Sequence, residues 1–156
     1  MRKKNREVTD VAGLRAILDR AAVCRIALTD GDAPYIVPLN FGYVWEDRLV
    51  LYFHGAKEGK KLDLIRANPR VGFELDSPGA LKTGDRACDW SMNYESIIGS
   101  GLLREVTDET ERQAGLTAVM RHYGRTDGFE YDPRVLAFTA VLRLDAEVFT
   151  GKRLDK

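Results

Sequence analysis

Residues 34–61 read PYIVPLNFGYVWEDRLVLYFHGAKEGKK and contain two apolar stretches joined by a short acidic turn. The stretches Pro34–Tyr43 and Arg48–His54 are predicted to form adjacent antiparallel strands. The second strand runs into a basic corner, where Gly59-Lys60-Lys61 opens a predicted helix. Free backbone N–H groups and ammonium groups at a helix start suit a bound phosphate. Because apolar and aromatic strands flank this corner, the segment predicts a site for a phosphorylated aromatic cofactor.

Length and composition indicate a globular protein with a single domain over residues 1–156. The chain has 44% hydrophobic and 31% charged residues, which is typical of globular and not of disordered proteins. Lys plus Arg equal Asp plus Glu at 24 each, so the formal net charge is zero. A protein that binds nucleic acid without sequence preference usually carries a basic excess. No nucleic-acid partner is therefore predicted.

The sequence shows little sign of a signal peptide, a membrane span or a metal site. No apolar core follows the basic N-terminus, and no apolar run reaches the roughly 20 residues that span a bilayer. The sequence therefore predicts a cytoplasmic protein with no membrane partner. Cys24 and Cys88 are expected to be free, largely buried thiols. The two cysteines and two histidines lack the spacing of metal-ligand pairs, so no metal site is predicted.

The periodicity of apolar residues predicts six strands and three helices. The strands are expected at residues 23–28, 34–43, 49–54, 70–76 and 94–106, with the last running from Phe138 through Val148. The helices are expected at residues 9–21, at 58–67, and from the Asp108 capping box to Gly124. Residues 77–93 are expected to form a long excursion with some strand character at 86–90. Hairpins dominate this order, which favours an antiparallel barrel with helices plugging its open ends.

Individual site residues admit structural as well as functional interpretations. Pro38 cannot donate a ladder hydrogen bond, so its strand is either an edge or irregular there, and the backbone of Leu39 and Asn40 could be free to bind a heterocycle. Lys60 and Lys61 could equally form a solvated helix face. A strand-end histidine such as His54 is more often structural than catalytic.

Other site types find little support in the sequence. His122 fits a helix C-terminal cap better than a catalytic group. The sequence has no P-loop or dinucleotide fingerprint and no pattern of a hydrolytic triad. The basic corner at Gly59-Lys60-Lys61 is therefore the main candidate for a functional site.

Together these segments resemble the pyridoxamine 5′-phosphate oxidase-like split barrels, and most closely their nitroimidazole-resistance (Nim) branch. The residues that carry the resemblance lie at 23–28, 34–43, 51–61, 68–74, 94–101 and 150–152. They occur in the right order over nearly the full length. Two departures concern the oxidase itself. Val37–Asn40 replaces its arginine-rich run, and residues 150–156 lack its arginine and tryptophan motif, so oxidation of pyridoxamine phosphate is not expected.

The resemblance implies a mostly β fold with flanking helices, namely a six-stranded antiparallel split β-barrel with Greek-key connections. It also implies a homodimer with FMN sites at its interface. By the same resemblance, Pro38, Leu39 and Asn40 would line the isoalloxazine, and Tyr52, Phe53 and His54 would form the adjacent wall. Lys60 and Lys61 would hold the phosphate, and Ser96 would help to complete the pocket.

The function implied by the resemblance is an FMN-dependent oxidoreductase that passes electrons from a reduced donor to a small acceptor, such as the nitroaromatic 5-nitroimidazole. His54 is the catalytic candidate, because histidine can move protons near neutral pH. Two alternatives stay open. One is a haem-binding split barrel with His54 or His122 as axial ligand. The other is a flavin-binding or dimerisation module without enzymatic activity.

Overall fold

A computed structural model describes residues 3–155, which form eight strands and four helices. The strands are β1 (Glu7–Val8), β2 (Cys24–Asp30), β3 (Ala33–Leu39), β4 (Phe41–Trp45), β5 (Leu49–Ala56), β6 (Arg70–Lys82), β7 (Ser91–Glu105) and β8 (Thr139–Leu154). The helices are α1 (Val11–Arg20), α2 (Lys60–Ala67), α3 (Glu109–His122) and α4 (Pro133–Phe138). Two short 3-10 turns lie at Lys4–Arg6 and Ala87–Asp89.

One antiparallel sheet contains all eight of these strands. Its order is β3-β2-β6-β7-β8-β5-β4, and β1 pairs with β8. The chain leaves the β2–β3 hairpin, crosses to the far edge as β4 and β5, and returns beside β2 as β6. This crossing is a Greek-key connection. The predicted antiparallel split barrel is confirmed, with eight strands in place of six.

The extra strands arise at two places. The stretch predicted as one strand over residues 34–43 breaks at Asn40 into β3 and β4. The second addition is β1, which pairs through Glu7 with Lys152 and through Val8 with Gly151. Pro38 lies on β3, which is an edge strand of the sheet. This position suits a residue without a backbone N–H group.

The expectation for residues 77–93 is wrong in its details. β6 continues as far as Lys82 and pairs with β7 from Ser91 onward, with a register shift between Pro78 and Leu81. The strand character expected at residues 86–90 is absent, because Ala87–Asp89 forms a 3-10 turn. Arg86 Nε donates to Asp89 Oδ2 at 3.0 Å and thereby closes that turn. The segment is thus a long hairpin arm.

The beginning of the last strand also differs from the prediction. Phe138, expected as its first residue, ends helix α4. The Asp132 carboxylate accepts a hydrogen bond from Arg134 N at 2.8 Å, and Pro133 occupies the first helical turn. An aspartate cap followed by proline is a recognised helix start, and here it outweighs the alternation of the following strand.

Two apolar clusters stabilise the fold. The larger fills the barrel, includes the fully buried Phe41 and Phe53, and receives Ile17 of α1 and Leu62 of α2. The smaller lies between α3 and the outer side of β5 and β8. Aspartates cap the first and third helices: Asp10 accepts from Gly13 N at 2.7 Å, and Asp108, the residue of the predicted capping box, accepts from Glu111 N at 2.8 Å. No helix among residues 3–155 is long and apolar enough to cross a membrane.

The two cysteines differ in burial, so the prediction of two largely buried thiols is wrong for Cys88. Cys24 is fully buried in the barrel, whereas Cys88 is exposed on the hairpin arm. Both are free thiols. Burial raises the pKa of the Cys24 thiol well above its ordinary value, which suppresses the thiolate form that reacts.

Thiol titration with Ellman's reagent tests this difference. The native protein should react through Cys88 alone, and the second thiol should appear only after denaturation. The Cys88→Ser variant should therefore show no reactive thiol until it is unfolded. Rapid reaction of both thiols in the native protein would contradict the burial of Cys24.

Candidate functional site

The central feature of the site is a cleft between β3 and the end of β5. β4 pairs with β5 from Phe41 opposite Phe53 to Trp45 opposite Leu49. Continuing this register past Asn40 would place Leu39 opposite Gly55, but β3 and β5 form no ladder in residues 3–155. β3 pairs instead with β2. The two strands therefore diverge at Asn40, and we call the opening between residues 35–40 and 54–56 the cleft.

The hydroxyl of Tyr123 holds the bend from which the cleft opens. It accepts hydrogen bonds from Asn40 Nδ2 at 3.0 Å and from Phe41 N at 3.2 Å. It also donates to the carbonyl oxygen of Ala22 at 2.7 Å. One phenol at the C-terminus of α3 thus joins the end of α1 to the point where the strand breaks.

The N-terminus of α2 lies between the two walls of the cleft. Lys60 Nζ forms an ion pair with Asp30 at 2.5 Å and lies 5.0 Å from the ring centroid of Tyr35, on the β3 side. Lys61 reaches the β5 side, where a Cβ atom added at Gly55 would lie 2.7 Å from Lys61 Nζ. The lysines predicted to share a phosphate therefore extend to opposite walls.

The two ammonium groups differ in their electrostatic surroundings. Lys60 is exposed, and its hydrogen bond to Asp30 raises its pKa. Lys61 is half-buried, and burial lowers its pKa. No carboxylate among residues 3–155 forms an ion pair with Lys61 within 4.0 Å. A half-buried cation without a counter-ion is costly, and a bound anion would offset that cost.

The backbone at the start of α2 is also free to bind an anion. Asp10, Asp108 and Asp132 cap the other three helices with their side chains. α2 begins at Gly59, which has a φ of 117° and no side chain to accept from the first-turn N–H groups. Glycine is the residue that tolerates this backbone conformation. The uncapped N–H groups and Lys61 lie in the same turn of the helix.

The other predicted residues of the cleft differ in exposure. Pro38 and Asn40 are exposed at its rim, and Leu39 is half-buried against the barrel core. His54 is exposed and has no hydrogen-bond or ion-pair partner within the described part of the chain. Its imidazole is therefore available to a ligand. The Leu39 and Pro38 backbone follows the wall that faces His54.

Tyr52, Phe53 and Ser96 do not line the cleft with their side chains. Tyr52 is buried beneath α3, with its hydroxyl 3.4 Å from Glu111 Oε1, and Phe53 is fully buried in the barrel. Ser96 lies in β7 between Asp76 and Lys152. It is separated from β3 by three strand spacings, which amounts to about 14 Å. Ser96 is therefore not part of the β3 wall of its own chain.

His122 has a structural role that differs from a cap on its own helix. Its Nε2 lies 2.8 Å from the carbonyl oxygen of Ala21, the C-cap residue of α1. Its ring centroid is 4.3 Å from that of Phe41. The hydrogen bond to Ala21 caps the neighbouring helix α1. It also occupies Nε2, the nitrogen with which a histidine would most readily bind haem iron. His54 is thus the more accessible of the two histidines.

Sequence reasoning missed two residues that shape the cleft. The sequence gives no sign of the role of Tyr123, because a hydrogen bond across 82 residues leaves no local pattern. Sequence reasoning placed Phe138 in a strand, although the sequence Asp132-Pro133 signals a helix start. Phe138 is 78% exposed and precedes Thr139, which pairs with Ala56 at the end of β5. α4 therefore lies beside the cleft.

Five surface cavities of about 300–570 Å³ lie elsewhere on the molecule. None of these five is lined by Pro38, His54, Lys60 or Lys61. Residues 3–155 also contain no group of three or more His, Cys, Asp or Glu side chains placed to hold a metal ion. The cleft is an open surface in one chain.

The outer face of the sheet carries an exposed apolar surface next to the cleft. Ile36, Ala27, Gly72, Ser100 and Val148 form one cross-strand row over five strands. The Ile36 and Val148 side chains at the two ends are 59% and 66% exposed, and Ile98 in the adjacent row is 59% exposed. We call this surface the outer face. Pro38 lies in the same row as Ile98, with the Arg25–Glu74 ion pair between them, so the outer face reaches the rim of the cleft through a charged strip.

A family model described as pyridoxamine 5′-phosphate oxidase matches residues 10–153. The chain belongs to this family. The match covers both walls of the cleft, the start of α2 and the whole outer face. The resemblance predicted from residues 23–152 is thereby confirmed at the level of the family. No curated protein matches the chain at a significant level.

One solved structure with the same fold is described as a nitroimidazole-resistance protein. A "putative 5-nitroimidazole antibiotic resistance protein" from Bacteroides thetaiotaomicron is 28% identical, with a TM-score of 0.79 over 96% of this chain and 90% of that one. The predicted similarity to a nitroimidazole-resistance protein is thus borne out.

Two more distant structures share the fold. An FAD and haem binding protein from Mycobacterium smegmatis is 19% identical, with a TM-score of 0.81 over 97% of this chain and 74% of that one. A flavocytochrome from Azotobacter vinelandii is 18% identical, with a TM-score of 0.76 over 100% and 75% of the two chains. At these identities the likeness concerns the fold alone.

The Tyr123→Phe variant tests whether Tyr123 holds the bend. Loss of its hydroxyl should lower the free energy of unfolding by about 1–2 kcal/mol, because the Phe41 N–H group loses its partner. Hydrogen exchange at the Phe41 amide should become faster. Tyr131→Phe is the matched control, because within residues 3–155 its hydroxyl hydrogen-bonds only with the Thr117 hydroxyl, at 3.2 Å. Unchanged exchange at Phe41 in Tyr123→Phe would show that the phenol does not secure the bend.

Proposed function

We propose that this protein binds FMN in the cleft and acts as an FMN-dependent oxidoreductase on a small acceptor, with a nitroaromatic such as a 5-nitroimidazole as the leading candidate. The observation that carries the proposal is the half-buried Lys61 ammonium, which has no counter-ion within residues 3–155 and lies beside the uncapped N-terminus of α2. Family membership and the similarity to a nitroimidazole-resistance protein support the choice of cofactor and acceptor. The proposed location is the cytoplasm, on the sequence grounds given above.

The phosphate would bind at the start of α2. Lys61 supplies a positive charge from a partly desolvated position, where electrostatic attraction is stronger than in bulk water. The backbone N–H groups after Gly59 add hydrogen-bond donors and the positive end of the helix dipole. Lys60 contributes less, because Asp30 already neutralises it.

The ring system would lie against the wall formed by Pro38, Leu39 and Asn40. The Pro38 and Leu39 side chains offer apolar surface, and the break in pairing at Asn40 leaves polar groups at the ring edge. Tyr52 and Phe53 are too buried to touch a ligand with their side chains, so they support the wall from behind. These features fit a flat heterocycle with an anionic tail.

FMN, when bound, supplies the transfer of hydride or single electrons. The chain's own contribution is to hold the ring at the β3 wall, fix the phosphate at Lys61 and control solvent at the cleft. His54 is exposed at the opposite wall and has no partner in the described chain, so its imidazole can deliver a proton to a reduced acceptor. We assign it that role.

We further propose a homodimer in which the outer faces of two copies pack together. The exposed Ile36, Ile98 and Val148 form an apolar surface, and the small residues between them allow close approach. Because this surface adjoins Pro38, a second copy would cover the open cleft. Ser96 lies on the same face, three strands away from the β3 wall of its own chain, so in the dimer it would complete the cleft of the partner.

Haem is the alternative cofactor, since one structural neighbour is described as an FAD and haem binding protein and another as a flavocytochrome. His54 would be the ligand in that case, because the Nε2 atom of His122 is hydrogen-bonded to Ala21. The absorption spectrum of purified protein separates the cases: flavin bands support the proposal, whereas a Soret band lost in His54→Ala supports haem. Tight flavin binding without turnover under any reductant would indicate a non-enzymatic module.

The two lysines provide a matched pair of variants that tests the phosphate site. Lys61→Ala should weaken FMN binding about 10- to 100-fold, as expected for loss of a charge-assisted hydrogen bond. Lys60→Ala should change the affinity less than about threefold, because its ammonium group is paired with Asp30. Quenching of FMN fluorescence measures both dissociation constants. Equal effects, or a larger effect of Lys60→Ala, would contradict the assignment of Lys61 as the anchor.

The Ile98→Lys variant tests the dimer. A charge placed at Ile98 should prevent association, because it would be buried between the two copies and the Glu74 carboxylate opposite it already pairs with Arg25. Light scattering should then give the chain mass of 17.5 kDa, in place of twice that value, and FMN affinity should fall. Val11→Lys, at a 51% exposed position on α1, should leave mass and affinity unchanged. A dimeric Ile98→Lys protein would exclude this interface.

A further inference from the structure

The second edge of the sheet, at β4, has a backbone pattern that the proposed function does not use. β4 is the last strand in the sheet order, so its outer side pairs with no strand of residues 3–155. Phe41 N–H donates to the Tyr123 hydroxyl, and Trp45 C=O accepts from Arg15 Nη2. Both bonds leave β4 on the side away from β5. Because backbone groups alternate along a strand, the odd-numbered residues of β4 face this open edge.

Tyr43 lies midway between these two blocked positions. By the same alternation, its N–H and C=O groups both point to the open edge, and neither has a hydrogen-bond partner among the described residues. The Tyr43 hydroxyl is already used, since it donates to Asp19 Oδ1 at 2.6 Å. Burial and this bond raise the pKa of Tyr43 to about 12, so the phenol stays protonated and fixed. The backbone N–H and C=O groups of Tyr43 are therefore the groups of this residue that remain available to bind a ligand.

These groups face a groove of about 570 Å³ between α1 and α3. Ala114 and Ala118 on α3 leave the space open, while Tyr43 and His122 supply aromatic walls. The His122 ring is fixed by stacking on Phe41 and by Nε2 at 2.8 Å from a carbonyl oxygen. Since a carbonyl only accepts, Nε2 carries the hydrogen. The volume is within the usual range for a small-molecule site.

The blocked ends of β4 determine what can occupy the groove. A strand from another chain would need several consecutive backbone pairs, but Phe41 N–H and Trp45 C=O are already bonded. Tyr43 is the one residue of this edge in residues 3–155 with both backbone groups left unpaired, and the bonds on either side of it interrupt strand addition. Asp19 and Arg121 add one charge of each sign to the lining, so the groove has no net formal charge. These constraints favour a small, neutral and planar molecule.

We propose that this groove is a second ligand site for planar molecules with an amide edge, such as lactam or pyridone rings. The ring C=O accepts from Tyr43 N–H, and the adjacent ring N–H donates to Tyr43 C=O. The ring lies over the stripe of α3 formed by Ala114 and Ala118, with His122 at one end of the groove. This site is separate from the cleft, and its test does not depend on flavin binding.

Titration of the full-length, ¹⁵N-labelled protein with 2-pyridone tests the site. The Tyr43 amide resonance should shift in a saturable manner, with smaller shifts confined to residues that line the groove. N-methyl-2-pyridone is the matched probe, because it keeps the ring and carbonyl but lacks the N–H group. It should bind about tenfold more weakly, as expected for the loss of one hydrogen bond and the added methyl group.

Two variants separate specific binding from nonspecific contact. Ala114→Leu fills the groove from an exposed helix position, so the fold should be kept and 2-pyridone binding lost. Gln113→Leu, at the neighbouring exposed position, should bind normally. The proposal is overturned if Tyr43 shows no saturable shift, in which case the groove holds water only. Equal affinity for the two probes, or unchanged binding to Ala114→Leu, would also overturn it.

Discussion

The break in pairing at Asn40 is the constraint on which the rest of the molecule depends. One continuous strand there would extend the β4–β5 ladder and bring Leu39 against Gly55, which would close the barrel. The strand instead turns onto β2, and the phenol of Tyr123 satisfies the polar groups that the turn exposes. A buried or half-buried N–H group without a partner is costly, so this hydroxyl stabilises the open form of the barrel. The cleft exists because the ladder is interrupted.

Charge distribution then divides the cleft into two parts. Asp30 neutralises Lys60 at the β3 wall, whereas Lys61 remains unpaired within residues 3–155 at the β5 wall. Every other helix has an aspartate at its N-cap, and α2 has Gly59. An anion would therefore bind most favourably at Lys61 and the adjoining backbone N–H groups. This gives the phosphate one preferred position.

Much of the fold could be predicted from local patterns, since alternation in β2 and β8 and the caps at Asp10 and Asp108 depend only on neighbouring residues. The basic corner was also visible, because Gly59-Lys60-Lys61 is contiguous. Long-range contacts were not: the Tyr123 hydroxyl and the different roles of the two lysines depend on residues that meet only after folding. Tyr52 and Phe53 share a strand, yet each is buried in a different cluster, which the sequence could not assign before α3 was placed.

A crystal structure of the protein soaked with FMN is the most direct measurement of the central claim. The account predicts the phosphate within hydrogen-bond distance of Lys61 Nζ and of the first backbone N–H groups after Gly59. It also predicts the ring between the β3 wall and His54. Phosphate density at another surface, or a carboxylate of the same chain bound to Lys61 in place of the phosphate, would contradict it.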